Sequence, residues 1–273
     1  MKFGFVLPNN YGLADPAPLI DLAVEAEERG FDSVWVNHHV INIGYIADRL
    51  ADRPYYDALT VLTWAAARTW TVRLGTSVLV LPYLHPMVLA KTLATIDQLS
   101  RGRMIAGLGV GSLPEENEVL GVGYANRGPW SGEFIQVMQA LWRPGPATFH
   151  GEHFSMDEAV ASPKPMQTEL EVWIGGSGAP ARARTARFGR GWHPLTSLGG
   201  LRRRMPRMIE ALEIEGRNRA DLVVAPRVDV SALADQGIVD DWSEAGADQL
   251  IVMTNSADLD TIRAGLAHAA RFI

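Results

Sequence analysis

Short apolar runs alternate along this chain with longer stretches in which apolar residues recur at helical spacing, the pattern of repeated βα units around a buried parallel sheet. The first run, about residues 2–7, leads to a helical pattern from about Pro16 to Arg29. Leu19, Leu22, Ala23 and Ala26 share one face of it, and Gly30 stops it. A second strand follows at Ser33–Val36, then a long loop from Asn37 to about Tyr56. Next come a helix at 57–69, a strand at 72–78 and a helix at 86–100 that opens on Pro86. A fourth strand at about 103–108 and a loop at 109–127 lead into a helix ending near Trp142.

Pro144, Gly145 and Pro146 then open an irregular stretch to Gln167, too long for an ordinary connection and read as an insertion, about 143–168. Further strands are predicted near 171–175, 190–194, 222–229 and 248–253, with helices near 179–188, 198–216, 235–245 and 258–272. No linker divides the halves. Eight βα units in 273 residues predict an α/β protein, a (β/α)8 TIM barrel forming a single domain over 1–273, with a doubly wound open sheet as the competing arrangement.

Composition narrows the chemistry. The 31 acidic against 25 basic residues give a net charge of −6, the wrong sign for a protein whose task is binding phosphate backbones, so nucleic acid is excluded as the main partner. Absence of cysteine removes disulfides, thiolate nucleophiles and cysteine-held metals. No apolar stretch is long enough for a signal peptide or a membrane span, so a cytoplasmic protein with no membrane partner is expected. Lysine occurs only as Lys2, Lys91 and Lys164, at the start of a strand, within a helix and in the insertion. None suits a Schiff-base mechanism.

In a barrel, reacting groups belong at the C-terminal ends of strands, and four such places carry chemistry. Asn37, His38 and His39 end the second strand. Strand alternation predicts that one histidine faces the mouth and the other packs outward, a poor metal pair. Leu74–Leu79 brings the small hydroxyls of Thr76 and Ser77 to the mouth. Gly109, Gly111 and Ser112 permit close approach of a ligand but break the dinucleotide fingerprint, because Ser112 holds its last glycine position. Beyond them Glu115, Glu116 and Glu118 read mostly as solvated surface, with Glu116 able to buttress the loop. Gly175, Gly176, Ser177 and Gly178 break into a helix start at about Ala179, where free amides favour phosphate, with Arg182 and Arg184 in the first turns. His150 and His153 lie in what reads as an exposed hairpin, no metal ligands are assigned, and Trp64, Trp142 and Trp173 read as core.

Several ordered stretches carry a resemblance: Glu25–Val36, Leu74–Pro82, His85-Pro86, Leu89-Ala90-Lys91, Ala94–Arg103, Gly109-Val110-Gly111, Glu116, Leu120-Gly121, Pro163-Lys164-Pro165 and Trp173–Gly176. Together, from Phe3 to about Pro194, they resemble the bacterial luciferase-like monooxygenase superfamily, and most of all its shorter members dependent on coenzyme F420. The resemblance implies an oxidoreductase whose barrel mouth holds a deazaflavin, with FMN as the alternative cofactor. Its phosphate tail would lie near the fourth and fifth loops, and a non-proline cis peptide, here Ser77–Val78, would back the ring. It implies His38 as the catalytic residue contacting ring or substrate, and Asn37, Ser77, Val78, Gly109, Gly111, Ser112 and Gly175–Gly178 as cofactor-binding. It also implies a homodimer acting on a small-molecule substrate. Asn37 stands where many relatives carry a carboxylate, and Pro114 where one subgroup has a glutamate acid. A reduced-FMN monooxygenase and a non-catalytic cofactor-binding protein are the other readings.

Overall fold

Strands form where runs rich in Val, Ile, Leu and Phe are buried on both faces, and helices where one stripe is. The computed structural model describes residues 1–273, the side chain of Asn126 aside. In chain order the elements begin with β1 (Lys2–Val6), α1 (Ala17–Glu28), β2 (Ser33–Val36), α2 (Tyr45–Leu50), α3 (Ala58–Arg68), β3 (Arg73–Thr76), β4 (Leu79–Val80) and α4 (Pro86–Leu99). They continue with β5 (Met104–Gly109), α5 (Pro114–Val119), α6 (Arg127–Trp142), β6 (Ala147–His150), β7 (Ser155–Ala159), β8 (Glu171–Gly175), α7 (Ala179–Phe188) and β9 (Gly191–His193). The chain ends with α8 (Leu198–Ile214), β10 (Val223–Val224), β11 (Arg227–Asp229), α9 (Gln236–Glu244), β12 (Gln249–Met253) and α10 (Leu259–Ala269).

Apart from the β6–β7 hairpin, all pairing is parallel, in the order β10-β9-β8-β5-β3-β2-β1-β12-β11, with β4 beside β5. Only Ala225 and Pro226 separate β10 from β11. Across this stretch the Ala225 and Arg227 amides donate to Trp192 and Pro194, while the Asp248 and Ile251 amides donate to Val224 and Pro226. The main core lies between the sheet and its helices, where Phe5, Leu19, Leu22, Val34 and Leu62 are sealed. A second apolar layer of Val6, Trp35, Ile105, Trp173, Ala225 and Ile251 fills the other face. Small residues make room for its two indoles. A Cβ on Gly75 would lie 2.3 Å from the Trp35 ring and one on Gly191 2.4 Å from that of Trp173. The two rings meet at 5.1 Å and floor whatever sits above them.

Three expectations change in detail. The strand expected at 72–78 stops at Thr76; the Ser77 amide still donates to Val36, the Ser77–Val78 peptide is cis, and β4 then pairs with β5. The loop after β2 contains α2, whose buried Ile46 and Leu50 pack on Leu113 and are too few for a periodic pattern to register. Trp64, expected in the core, is 41% exposed, whereas Trp173 is fully buried and Trp142 packs against the core from its edge. The stretch at 143–168 contains the hairpin, and its return is anchored by buried Asp97, whose carboxylate accepts the Met166 and Gln167 amides at 2.7 and 2.9 Å. Among the described residues no helix is long and apolar enough to cross a membrane.

Candidate active site

Above the tryptophan floor, at the C-terminal ends of the strands, lies a cavity of about 500 Å³, within the size range of small-molecule sites. Asn37, His38, Ser77, Val78, Gly109, Gly111, Ser112, Gly175 and Gly176 line it. Ser177 and Gly178 do not. The Ser177 carbonyl is turned to the Arg182 guanidinium at 3.0 Å and Gly178 caps α7, so the phosphate loop reaches the cavity only through its first two glycines and through Ala181 and Arg184 on α7.

His38 is 6% exposed, and its Nδ1 accepts the Val80 N–H at 3.1 Å. An accepting Nδ1 leaves the proton on Nε2. Burial pulls the pKa down to about 4, so at neutral pH this ring is a fixed, uncharged donor. Buried His193 behaves likewise. Burial holds its pKa at about 4, its Nδ1 donates to the Ala225 carbonyl at 2.7 Å, and its Nε2 accepts from the Ser77 hydroxyl at 2.8 Å. Its ring stacks on Trp35 at 5.0 Å, which ties the Ser77–Val78 turn to the floor.

Glycines shape the wall. A Cβ on Gly109 would lie 2.4 Å from Val78 Cγ2, and one on Gly175 2.8 Å from Val78 Cγ1. Val78 is therefore seated between two positions that admit no side chain, with its remaining face to the cavity. Both flanking glycines come from strand ends that the sequence already marks.

Arg227 closes the other side. Its Nη1 donates to Asn37 Oδ1 at 2.5 Å and its Nε to the Met253 sulfur at 2.9 Å. Asn37 also donates to Asn10 at 3.0 Å. Asn37 thus serves a guanidinium and an amide at once. Among the described residues no carboxylate pairs with Arg49, Arg184 or Arg227, all of which line the cavity. Burial, and then repulsion by Arg127, weakens the hold of Arg184 on its proton, so this corner favours an anion.

Sequence reasoning did not select Arg227, His193, Tyr11, Tyr45 or Tyr55. His193 ends β9 and satisfies the rule that selected His38, whereas Arg227 opens β11; Tyr11 and Tyr55 lie in loops and Tyr45 opens the short α2, with no period to place them. One of His38 and His39 was expected to face outward, but β2 ends at Val36, pleating stops, and both histidines line the cavity. Glu116 was expected mostly at the surface and is fully buried, bonded to His39, while Glu115 and Glu118 are exposed. Outside the cavity, Glu133, Glu152 and His153 bring ligand atoms within 4.8 Å of one another. The Glu133 carboxylate, however, is spent on the Glu152, His153 and Phe154 amides of the hairpin turn.

Solved structures define the class of fold. An F420-dependent secondary alcohol dehydrogenase in complex with an F420–acetone adduct superposes with a TM-score of 0.84 at 20% identity, covering 100% of this chain and 98% of that one. Monooxygenase RslO1 from Streptomyces bottropensis superposes with a TM-score of 0.81 at 18% identity, with the same coverage of 100% and 98%. The luciferase-like monooxygenase family model matches residues 1–270, and the chain belongs to that family. Among curated relatives, an F420-dependent glucose-6-phosphate dehydrogenase of Kineococcus radiotolerans is 33% identical over 216 residues, 76% of this chain and 61% of that protein. Another from Microbacterium testaceum is 31% identical over 229 residues, 79% of this chain and 64% of that protein. The matched region thus spans less than two thirds of these relatives.

Proposed function

We propose that this protein is an oxidoreductase that uses coenzyme F420 to pass a hydride to or from a small organic substrate. The relatives named for F420-dependent dehydrogenation favour a hydroxyl/carbonyl couple as that substrate. The observation that carries the reading is the cavity itself: a Val78 wall kept clear by Gly109 and Gly175, His193 stacked on Trp35 beside it, a fixed neutral donor at His38, and the unpaired Arg184 at one end. We read the sheet as closing into a (β/α)8 barrel of one domain over 1–273, with 143–168 inserted. The pairing of 223–229 with β9 on one side and β12 on the other supports closure.

The residues present fit a deazaflavin. A ring would lie against Ser77, Val78, Gly109, Gly111 and Ser112, with Asn37 and Arg227 at its edge. The anionic tail would run toward Gly175–Gly178 and the start of α7, where amides and Arg184 meet negative charge. When bound, the coenzyme supplies the two-electron acceptor or donor that the protein lacks. His38 Nε2–H gives a hydrogen bond to ring or substrate without changing charge, so it orients.

The test follows F420 absorbance with a panel of secondary alcohols, and reduced F420 with ketones, activated alkenes, imines and nitro compounds. The reading predicts turnover that His38→Ala abolishes. Cofactor binding with no turnover on any member would leave a binding protein, and turnover only with reduced FMN and oxygen would make it a monooxygenase. A homodimer is part of the proposal on family resemblance, and light scattering in solution checks it.

A further inference from the structure

The cavity holds two separate cationic places. The charge that repels Arg184 is Arg127, whereas the one that repels Arg227 is Arg49. The reading above gives the first place to the cofactor tail and uses only Arg227, at the ring edge, from the second. Arg49 comes from α2 and Arg227 from β11, and both line the cavity. Neutral groups hold them. Arg49 Nη2 donates to the Asn10 carbonyl at 3.1 Å, and its guanidinium lies over the Tyr11 ring at 5.1 Å from the centroid. Arg227 spends Nη1 on Asn37 and Ser77 and Nε on the Met253 sulfur, and among the described residues nothing accepts from its Nη2. Asp229, two residues along β11, gives no counter-charge, because its carboxylate accepts Asn255 Nδ2 at 2.6 Å and the Ser231 amide and hydroxyl at 2.9 and 2.6 Å. A further donor is unmet. Tyr55 lines the same cavity, and its hydroxyl is sealed from solvent with no partner among the described residues. Burial raises its pKa, which the charges of Arg227 and Arg49 only partly offset, so it keeps its proton. Like charges without a counter-charge and a buried donor without an acceptor are both unfavourable, and one anion among them relieves both.

We propose that Arg49, Arg227 and Tyr55 form a carboxylate subsite, so that the substrate is a hydroxy acid or, in the reverse direction, the matching oxo acid. The proposal rests on the F420 reading above, whose hydroxyl/carbonyl couple it narrows. Arg227 Nη2 offers two N–H groups and Tyr55 one O–H, three hydrogens for the four lone-pair positions of a carboxylate, and Arg49 supplies the fourth and the second charge. A phosphate monoester, with three free oxygens, leaves lone pairs unmet in this set. The carboxylate is unchanged by the reaction. In oxidation the carbinol C–H bond breaks and its electron pair passes with the hydrogen to the oxidised deazaflavin. The hydroxyl proton passes to water, and the O–H electron pair becomes the second bond of the carbonyl. Reduction reverses each transfer. Holding the acid group at a fixed place orients the carbinol carbon toward the ring. The amide at position 37 fits this arrangement. A carboxylate there would neutralise Arg227, whereas Asn37 Oδ1 holds the guanidinium at 2.5 Å and leaves its charge for the ligand.

Calorimetric titration of the full chain with no cofactor added tests the subsite directly. The probes are 2-hydroxybutyrate and 3-hydroxybutyrate, the methyl ester of each, and sec-butyl phosphate. At least one acid is expected to bind roughly tenfold or more tightly than its ester and more tightly than the phosphate. Arg49→Gln and Arg227→Gln each weaken that acid by roughly 10–150-fold, and Asn37→Asp removes the preference for acid over ester. Tyr55→Phe weakens the acid by roughly 2–12-fold while Tm holds or rises, since the change deletes an unmet buried donor. A merely structural Tyr55 would lose Tm and keep the affinity. Esters that bind as tightly as acids, or a phosphate that binds more tightly than either acid, overturn the proposal. Weakening that follows Arg184→Gln and not Arg49→Gln puts the anion at the other place and overturns it too. With F420 bound, the acid-over-ester ratio of kcat/KM falls in Arg49→Gln and Asn37→Asp. F420 that fails to bind, or binds without turnover, defeats the proposed function instead, and the cofactor-free titrations decide the subsite alone.

Discussion

Adding one methyl group at Gly109 tests the cavity wall. In Gly109→Ala the new Cβ would lie 2.4 Å from Val78 Cγ2, whereas relaxed carbon contacts lie at about 3.5–4.0 Å. Valine has no flexible end to yield, and Gly175 blocks retreat on the other side. Val78 must therefore shift by ~1 Å toward the cavity it lines. Overpacking of this kind costs about 1–3 kcal/mol, a fall in Tm of roughly 2–12 °C for a chain of this size. A ring resting on Val78 meets the displaced side chain, so F420 affinity drops by roughly tenfold or more, each tenfold being about 1.4 kcal/mol. Val78→Ala in the same chain removes the interfering Cγ2 methyl and leaves the new Cβ 3.5 Å from the Cβ at position 78. The double variant should regain Tm, with a coupling of about 1 kcal/mol or more. Differential scanning calorimetry and fluorescence titration with F420 read both quantities. If Gly109→Ala leaves Tm and affinity unchanged, or Val78→Ala gives no relief, Val78 does not form the wall described.

Arg184→Gln removes an unpaired cation worth about 1.5–3 kcal/mol to a bound anion, so F420 should bind roughly 10–150-fold more weakly with a flatter salt dependence. Titration at several ionic strengths checks this, and equal affinity contradicts the phosphate corner. His38 and His193 are held at about 4 in the fold against roughly 6.5 in the unfolded chain. The unfolded state therefore binds protons first, and stability present above about pH 6.5 is lost as pH falls toward 4, by up to about 1.4 kcal/mol per pH unit for each ring. Tm should decline from pH 7 to 4.5, less steeply in His38→Asn, and a level Tm refutes the neutral pair. Asp97→Ala strands the Met166 and Gln167 amides and should cost about 3 kcal/mol or more. Urea unfolding reads the loss, and limited proteolysis should show earlier cleavage near 160–168.

Much of the architecture was legible because periodicity reports burial. The strands at β2, β5, β8 and β12 and the helices α1, α4 and α7 fall where apolar spacing, Pro86, Gly30 and the break after Gly175 place them. What periodicity cannot report is a local break in a buried run. Residues 72–78 read as one strand although β3 stops at Thr76, and the cis Ser77–Val78 peptide was expected on family resemblance alone. The site was half legible for a related reason. Small residues and His38 at strand ends announce themselves, but the roles of Arg227, Glu116 and the two histidine tautomers depend on partners 190, 77 and 42 residues away, which no local pattern encodes. Trp64 failed from the opposite cause, since a large apolar residue does not by itself specify which face of its helix it occupies.

The central claim is that the cavity above Trp35 and Trp173 receives a deazaflavin, and the direct measurement is fluorescence titration of the purified protein with F420 and, separately, with FMN. Saturable binding of one F420 per chain, with FMN binding more weakly, is the predicted result. Tight FMN binding with no detectable F420 binding, or no binding of either, would contradict it.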